Sequence, residues 1–254
     1  MMRASLGRIS SGPTDRIVEH PQLSQLSAML KAIDAGDRII KGRLELFRCS
    51  SRALKRCQLE EIHRRCPETF ADSPLGPLAS DTAQNLLANL MSLMALLFVD
   101  YDCGSLTPLD FERCPDKHAV VNTINHSLAS VVDRIHSGFL SEFWKHVQEA
   151  IDLAGCEVYA LRPMSGTFEP ADNSLMSFHY FFVDANRGYI LFIGSITKNR
   201  ASARGSADSE SEVTISQDTA SNSSKGGGGS SMGSSLQEGE YCFSEDSGSD
   251  RMLD

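Results

Sequence analysis

The chain has 254 residues, of which 41% are hydrophobic, and its 24 Lys and Arg against 33 Asp and Glu give a formal net charge of −9. This acidic balance argues against a protein that binds the phosphates of nucleic acid, because such binding needs a net basic face. The seven cysteines include no Cys-x-x-Cys pair, which argues against a disulfide scaffold or a zinc module. The longest apolar stretch, residues 86–99, is too short to cross a bilayer, and residues 1–8 lack the apolar run of a secretory signal. We therefore expect a protein of an intracellular, reducing compartment.

The composition divides the chain into three parts. Residues 201–254 contain 15 Ser and 8 Gly, with ten acidic and three basic residues and hence a net charge of −7. Such a segment buries too little apolar surface to offset its chain entropy. The sequence predicts a disordered N-terminal arm over residues 1–19, a single globular domain over 20–198 and a disordered, Ser/Gly-rich acidic tail over 199–254.

The first half of the domain is predicted to alternate helix and strand. Apolar residues recur at helical spacing after Pro21, a proline suited to a first helical turn, and Gly36 is expected to end that helix. Residues 39–48 alternate between polar and apolar, which predicts a strand with one solvated face. A helix follows over residues 53–66, and the Pro- and Gly-containing stretch 67–79 is predicted to be a loop.

The second half is predicted to combine longer helices with a sheet. Residues 81–99 form the most apolar helical pattern, which indicates a helix central to the core. Two more helices are expected over residues 120–135 and 140–151, and three strands over 157–161, 175–184 and 189–196. The Asn and Gly of the segment 185–188 suit a hairpin loop. The predicted fold class is α+β, with helices packed on a mostly antiparallel sheet.

No motif in the sequence supports catalysis. There is no nucleotide-binding loop, no Gly-x-Ser-x-Gly elbow and no His-Glu-x-x-His, so we predict no enzyme, no catalytic residue, no cofactor and no metal. Cys66 and Cys103 would act as nucleophiles only if a His and an acid converged on them. A small hydrolase that uses Asp100, Asp102 and His126 stays open as an alternative, although a loop-fixing or binding role suits the two carboxylates better.

Four segments, in order, resemble the Maf-one family, the eukaryotic repressors of RNA polymerase III. They are Gly36–Cys49, Asp100-Tyr101-Asp102, Val120–Asn125 and the run from Trp144 to Phe182. The resemblance covers residues 20–197. The chain departs from the family pattern at a few positions: it has Val99 and Cys103 on either side of the Asp-Tyr-Asp box, and Met176 and His179 where the family usually carries Trp and Asn.

The resemblance implies a regulator without enzymatic activity. A protein of this family would bind RNA polymerase III and block its engagement with the initiation factor, with no sequence-specific nucleic acid and no membrane as partners. Regulatory kinases and a phosphatase would control it in nutrient and stress signalling and move it between nucleus and cytoplasm. The partner-binding candidates are Arg43, Asp100, Tyr101, Asp102 and Trp144. A phosphorylation-regulated signalling scaffold is the alternative.

Candidate phosphorylation sites follow from short motifs. Arg-x-Ser occurs five times, about twice the chance expectation for this composition. A phosphate would add a charge of about −1.5 to −2 at each. A Ser-Pro step in the predicted loop adds one proline-directed candidate. The candidates are Ser5, Ser10, Ser50, Ser73, Ser202 and Ser206.

Overall fold

A seven-stranded antiparallel sheet organises the protein. The computed structural model describes residues 16–51, 53–135, 137–163 and 174–200; nearly all of the predicted arm and tail lies outside them. The strands are β1 (Ile17–Val18), β2 (Ile33–Asp34), β3 (Arg38–Arg48), β4 (Phe111–Arg113), β5 (Glu157–Leu161), β6 (Ser174–Asp184) and β7 (Tyr189–Asn199). Their order across the sheet is β1-β3-β7-β6-β5-β4, and β2 also pairs with β3. Strand β1 lies within residues 16–19, which the sequence assigned to the N-terminal arm.

Helices cover both faces of this sheet. They are α1 (Pro21–Leu30), α2 (Arg56–Arg65), α3 (Asp81–Leu97), α4 (Lys117–Ile135) and α5 (Phe139–Ala150). Buried side chains of α1, α4 and α5 form one hydrophobic core with one face of the sheet. Those of α2 and α3 form a second core with the opposite face. The predicted α+β fold with an antiparallel sheet is confirmed. No described helix has the length and apolar character to cross a membrane.

The central strand β6 shows why both faces are covered. Its residues Phe178–Val183 are all buried, which a strand with one solvated face would not be. Phe178, Tyr180 and Phe182 belong to the core beneath α1, α4 and α5, whereas Phe181 and Val183 belong to the core beneath α2 and α3. Alternate side chains of a strand point to opposite faces, so this one run supplies aromatic rings to both cores.

Two helices have boundaries that differ from those predicted from the sequence. The first was expected to continue to Gly36, but α1 ends at Leu30 and Ile33 pairs with Ile40 of β3 instead. The second begins at Arg56 rather than residue 53. Within the predicted loop 67–79, residues Pro67–Phe70 form a turn of 3₁₀ helix. Tertiary pairing and packing decide these ends, since helix boundaries carry a weak sequence signal.

Capping fixes where α3 begins. The Ser80 side chain accepts a hydrogen bond from the Ala83 N–H at 3.3 Å, and Asp81 places a negative charge in the first turn. Both features satisfy or complement the unpaired N–H groups at a helix N-terminus. Nine of the helix's seventeen residues are buried, in agreement with its apolar sequence. The helix runs from this cap to an end that lies against β3.

Candidate partner-binding surface

Arg43 joins β3 to the C-terminal end of α3. Its Nη1 donates a hydrogen bond to the Leu97 carbonyl at 3.0 Å, and its Nε donates to Glu45 Oε1 at 3.0 Å. The last carbonyls of a helix lack partners within the helix and carry a partial negative charge, so a guanidinium there stabilises the helix end. This contact brings the first family-like segment, residues 36–49, to the start of the second.

We expect Arg43→Ala to lower the free energy of unfolding by about 1 kcal/mol, because it removes a charge-assisted hydrogen bond to a helix end and an ion pair that is partly screened by solvent. The matched control is Arg38→Ala on the same strand. The Arg38 side chain is as exposed as that of Arg43, at 43% against 44%, but among the described residues it forms an ion pair only with its neighbour Asp37. Urea unfolding at neutral pH measures both. Equal losses for the two variants would contradict a capping role for Arg43.

The Asp-Tyr-Asp segment forms a turn directly after α3. The Tyr101 N–H donates to the Phe98 carbonyl at 3.1 Å, and the Tyr101 ring meets Phe98 edge-on with centroids 6.3 Å apart. Asp102 accepts a hydrogen bond from the Gly104 N–H at 3.0 Å and begins a 3₁₀ turn over Cys103–Ser105. Asp102 therefore fixes the loop, while Asp100 is exposed to solvent.

An aromatic cluster connects this turn to the sheet. Phe98 lies edge-on to His179 at 5.5 Å and to Phe192 at 6.1 Å, and the rings of His179 and Phe192 are nearly parallel at 6.0 Å. His179 is 7% exposed. Burial, with a smaller effect from the positive charge of Arg162, lowers the pKa of His179 to about 4, so its imidazole is neutral at pH 7.

The strand register explains why His179 belongs to this site. Arg43 lies opposite Gly194 of β7, and Gly194 lies opposite His179 of β6. The three residues form a row across the sheet, on the face covered by α3. Sequence reasoning did not place His179 or Gly194 in the site, because only the pairing of distant strands brings them beside Arg43.

Trp144 lies elsewhere. It is on α5, and its Nε1 donates to Asn125 Oδ1 of α4 at 2.6 Å. This bond joins the third and fourth family-like segments on the opposite face of the sheet from α3. The structure thus brings together Arg43, Asp100, Tyr101 and Asp102, and keeps Trp144 apart from them.

The residues of the hydrolase alternative do not converge. His126 is exposed on α4, on one face of the sheet, whereas Asp100 and Asp102 follow α3 on the other. Burial raises the pKa of the Cys103 thiol to about 11, which keeps it protonated at neutral pH. Across the described ranges, no group of three or more His, Cys, Asp or Glu is placed to hold a metal ion.

Two of the phosphorylation candidates fall within the described ranges. Ser50 is half-buried, and the Asn89 side chain bonds both its N–H and its C=O at 3.0 Å. The Ser73 hydroxyl donates to the Gly76 carbonyl and accepts from the Leu75 N–H, so it is held within a turn. The other four candidates, Ser5, Ser10, Ser202 and Ser206, lie outside the described residues.

Comparison with known proteins identifies the family. The family model described as Maf1 regulator matches residues 26–194, which run from α1 into β7. The chain belongs to the Maf1 regulator family. The match spans the segments that carry Arg43, the Asp-Tyr-Asp turn and Trp144, so the resemblance seen in the sequence is confirmed.

Two curated relatives carry a functional name. The Dictyostelium discoideum protein named repressor of RNA polymerase III transcription is 24% identical over 229 residues, covering 70% of this chain and 82% of its own length. A Schizosaccharomyces pombe protein, repressor of RNA polymerase III transcription maf1, is 28% identical over 193 residues, covering 68% of this chain and 79% of its own length.

Solved structures agree on the fold. Two crystal structures of citrus MAF1 superpose with TM-scores of 0.52 and 0.51, at 18% and 19% identity. Each covers 70% of this chain and 99% of the citrus chain. At this identity the likeness establishes a shared Maf1 fold, and the functional argument rests on the residues of the surface itself.

Proposed function

We propose that this protein represses RNA polymerase III transcription by binding the polymerase through the surface at the end of α3, and so prevents its engagement with the initiation factor. One observation carries the proposal: the Arg43–Leu97 hydrogen bond joins the family-like segment 36–49 to the end of α3, three residues before the family-like segment 100–102. The names of the curated relatives supply the class of target.

The exposed chemistry of this surface suits a basic protein partner. Val99 is 79% exposed, and the carboxylates of Asp100 and Asp102 lie one and three residues after it. An apolar side chain beside negative charges is complementary to a partner surface that carries Lys and Arg around an apolar patch. A polymerase has basic surfaces because it handles nucleic acid, and an acidic regulator competes for them.

Phosphorylation is the proposed control. Regulatory kinases would add negative charge at the Arg-x-Ser sites, a phosphatase would remove it, and the protein would move between nucleus and cytoplasm accordingly. Among the phosphorylation candidates that the structure describes, Ser50 is the one whose modification would change the structure most directly. Its backbone is held by Asn89, whose side chain also accepts from Arg16. A phosphate of charge about −1.5 to −2 there would pull Arg16 from Asn89 and loosen the segment that follows β3.

The decisive experiment pairs binding with transcription. We expect the purified protein to bind purified RNA polymerase III and to lower transcription of a tRNA gene, but not of a messenger-RNA gene, in nuclear extract. Asp100→Lys reverses one exposed charge at the surface and should weaken polymerase binding about tenfold, or about 1.4 kcal/mol. Biolayer interferometry measures the affinity, and its salt dependence reports the electrostatic share.

The control variant is Gln148→Lys, which adds a positive charge at an exposed position of α5 on the opposite face. It should bind the polymerase as the unmodified protein does. Equal weakening by both variants would show a general charge effect and contradict the assignment of this surface. A protein that binds many kinases and phosphatases but not the polymerase would instead be the signalling scaffold.

A further inference from the structure

A groove of 480 Å³ opens beside Arg43, between α1 and the end of α3. This volume lies within the range of small-molecule sites, which is about 300–1,000 Å³. The groove borders the proposed polymerase surface, but neither the Asp-Tyr-Asp turn nor the two described phosphorylation candidates, Ser50 and Ser73, line it. Its lining combines an aromatic cluster with a cationic rim, and the role proposed above uses neither that cluster nor the two lysines of the rim.

The floor is flat because Gly194 has no side chain. A Cβ built at Gly194 would lie 2.5 Å from Phe192 Cζ and 3.2 Å from His179 Cδ2. The Phe192 ring therefore lies over the Gly194 backbone, nearly parallel to the His179 ring, with an interplanar angle of 19°. Phe98 stands edge-on to both rings as a wall. Phe192 and His179 are only 1% and 7% exposed and back the groove, so the half-buried Phe98 is the ring against which a flat apolar body can pack.

The rim is cationic and offers free donors. Among the described residues, Lys31, directly after α1, and Lys41 and Arg43 of β3 line the groove together with a single carboxylate, that of Glu45. Glu45 is already paired with Arg43. Within the part of the chain that the structure describes, the ammonium groups of Lys31 and Lys41 have no ion-pair or hydrogen-bond partner, and both residues are exposed.

We propose that this groove binds a small molecule that carries one anionic group on a flat, apolar body. The half-buried Phe98 ring takes the flat body, and Lys41 and Lys31 take the anionic group by charge-assisted hydrogen bonds. The proposal goes beyond polymerase repression and does not rest on it, since binding needs only the isolated protein. It also explains why position 194 is a glycine, because any side chain there would displace the rings of Phe192 and His179.

Cinnamate and its neutral isostere cinnamamide test the proposal, because they share size and flatness and differ in charge. Titrations followed by amide-resolved NMR should show cinnamate shifting the backbone signals of Gly194, Ser195 and His179. We expect cinnamamide to bind the same residues about fivefold more weakly, since it lacks the charge that the lysines attract. Phenyl phosphate in a third titration establishes whether a phosphate serves as well as a carboxylate.

Variants assign the charge effect to the rim. Lys41→Gln should weaken cinnamate binding about fivefold and leave cinnamamide binding unchanged, and because Lys41 is exposed the fold should persist. The matched control is Arg56→Gln on α2, outside the groove, whose side chain is 92% exposed; it should have no effect.

Three results would overturn the proposal. One is the absence of shifts at the floor residues in either titration, and another is equal affinity for cinnamate and cinnamamide. The third is tighter binding of an acetylated Asp-Trp-Asp peptide amide than of cinnamate, which would assign the groove to a protein segment. Because polymerase affinity is measured separately with Asp100→Lys, a failure here leaves the repression proposal standing, and a failure there leaves this one.

Discussion

Phe181→Ala is expected to lower the free energy of unfolding by about 3–5 kcal/mol, the usual cost of truncating a fully buried aromatic side chain. Phe181 lies in the middle of β6 and is 0% exposed. It lies opposite Tyr159 on one neighbouring strand and Phe192 on the other. Its ring packs against Phe192 at 5.4 Å and Phe111 at 5.8 Å. The substitution removes these contacts and leaves a cavity beneath the helices on that face.

Urea unfolding measures this loss with two probes. The single tryptophan, Trp144, reports from the opposite face of the sheet, and far-ultraviolet circular dichroism reports on the whole domain. Coincident transitions would show that both cores unfold together. Leu175→Ala is the control on the same strand, where Leu175 is 60% exposed; it should cost less than about 0.5 kcal/mol. A loss below about 1.5 kcal/mol for Phe181→Ala would contradict a packed core beneath α3.

The long elements could be predicted from periodicity, and the short ones could not. Helix α3 and strands β6 and β7 each carry a sustained apolar pattern that local sequence reveals. Strands β1, β2 and β4 have only two or three residues each. They exist because β3 and β5 offer them a pairing edge, which no local pattern shows. Ile33 illustrates the conflict: its helical spacing favoured α1, but pairing with Ile40 placed it in β2.

The site was predictable only where a linear motif carried it. Arg43 and the Asp-Tyr-Asp turn stood out through the family resemblance, and the structure places them together. Their neighbours Gly194 and His179 depend on the register of three strands that are distant in sequence. Trp144 and His126 belong to helices on the other face, and the sequence did not assign helices to faces. Cross-strand register and the choice of face are therefore what the sequence left undetermined.

His179 should make the protein less stable as the pH falls. Its pKa is lowered from 6.5 to about 4 in the folded state, chiefly by burial. Below pH 6.5 the unfolded chain binds a proton at this residue that the folded protein does not bind until about pH 4, so acid favours unfolding. As the pH falls from 7 to 4, this residue lowers the free energy of unfolding by up to about 3 kcal/mol. Above pH 7 it has no further effect on the free energy of unfolding.

The variant His179→Asn isolates this contribution, because asparagine does not titrate and is the residue that the family usually carries there. Carboxylates also titrate between pH 7 and pH 4, but they do so in both proteins and cancel in the difference. Relative to the unmodified protein, His179→Asn should therefore gain up to about 3 kcal/mol of unfolding free energy as the pH is lowered. His118→Asn, at an exposed position of α4, is the control and should track the unmodified protein. The expectation is contradicted if the two asparagine variants show the same dependence of unfolding free energy on pH. In that case the imidazole of His179 is not held neutral by the aromatic cluster, because a solvated imidazole would accept its proton equally in the folded and unfolded states.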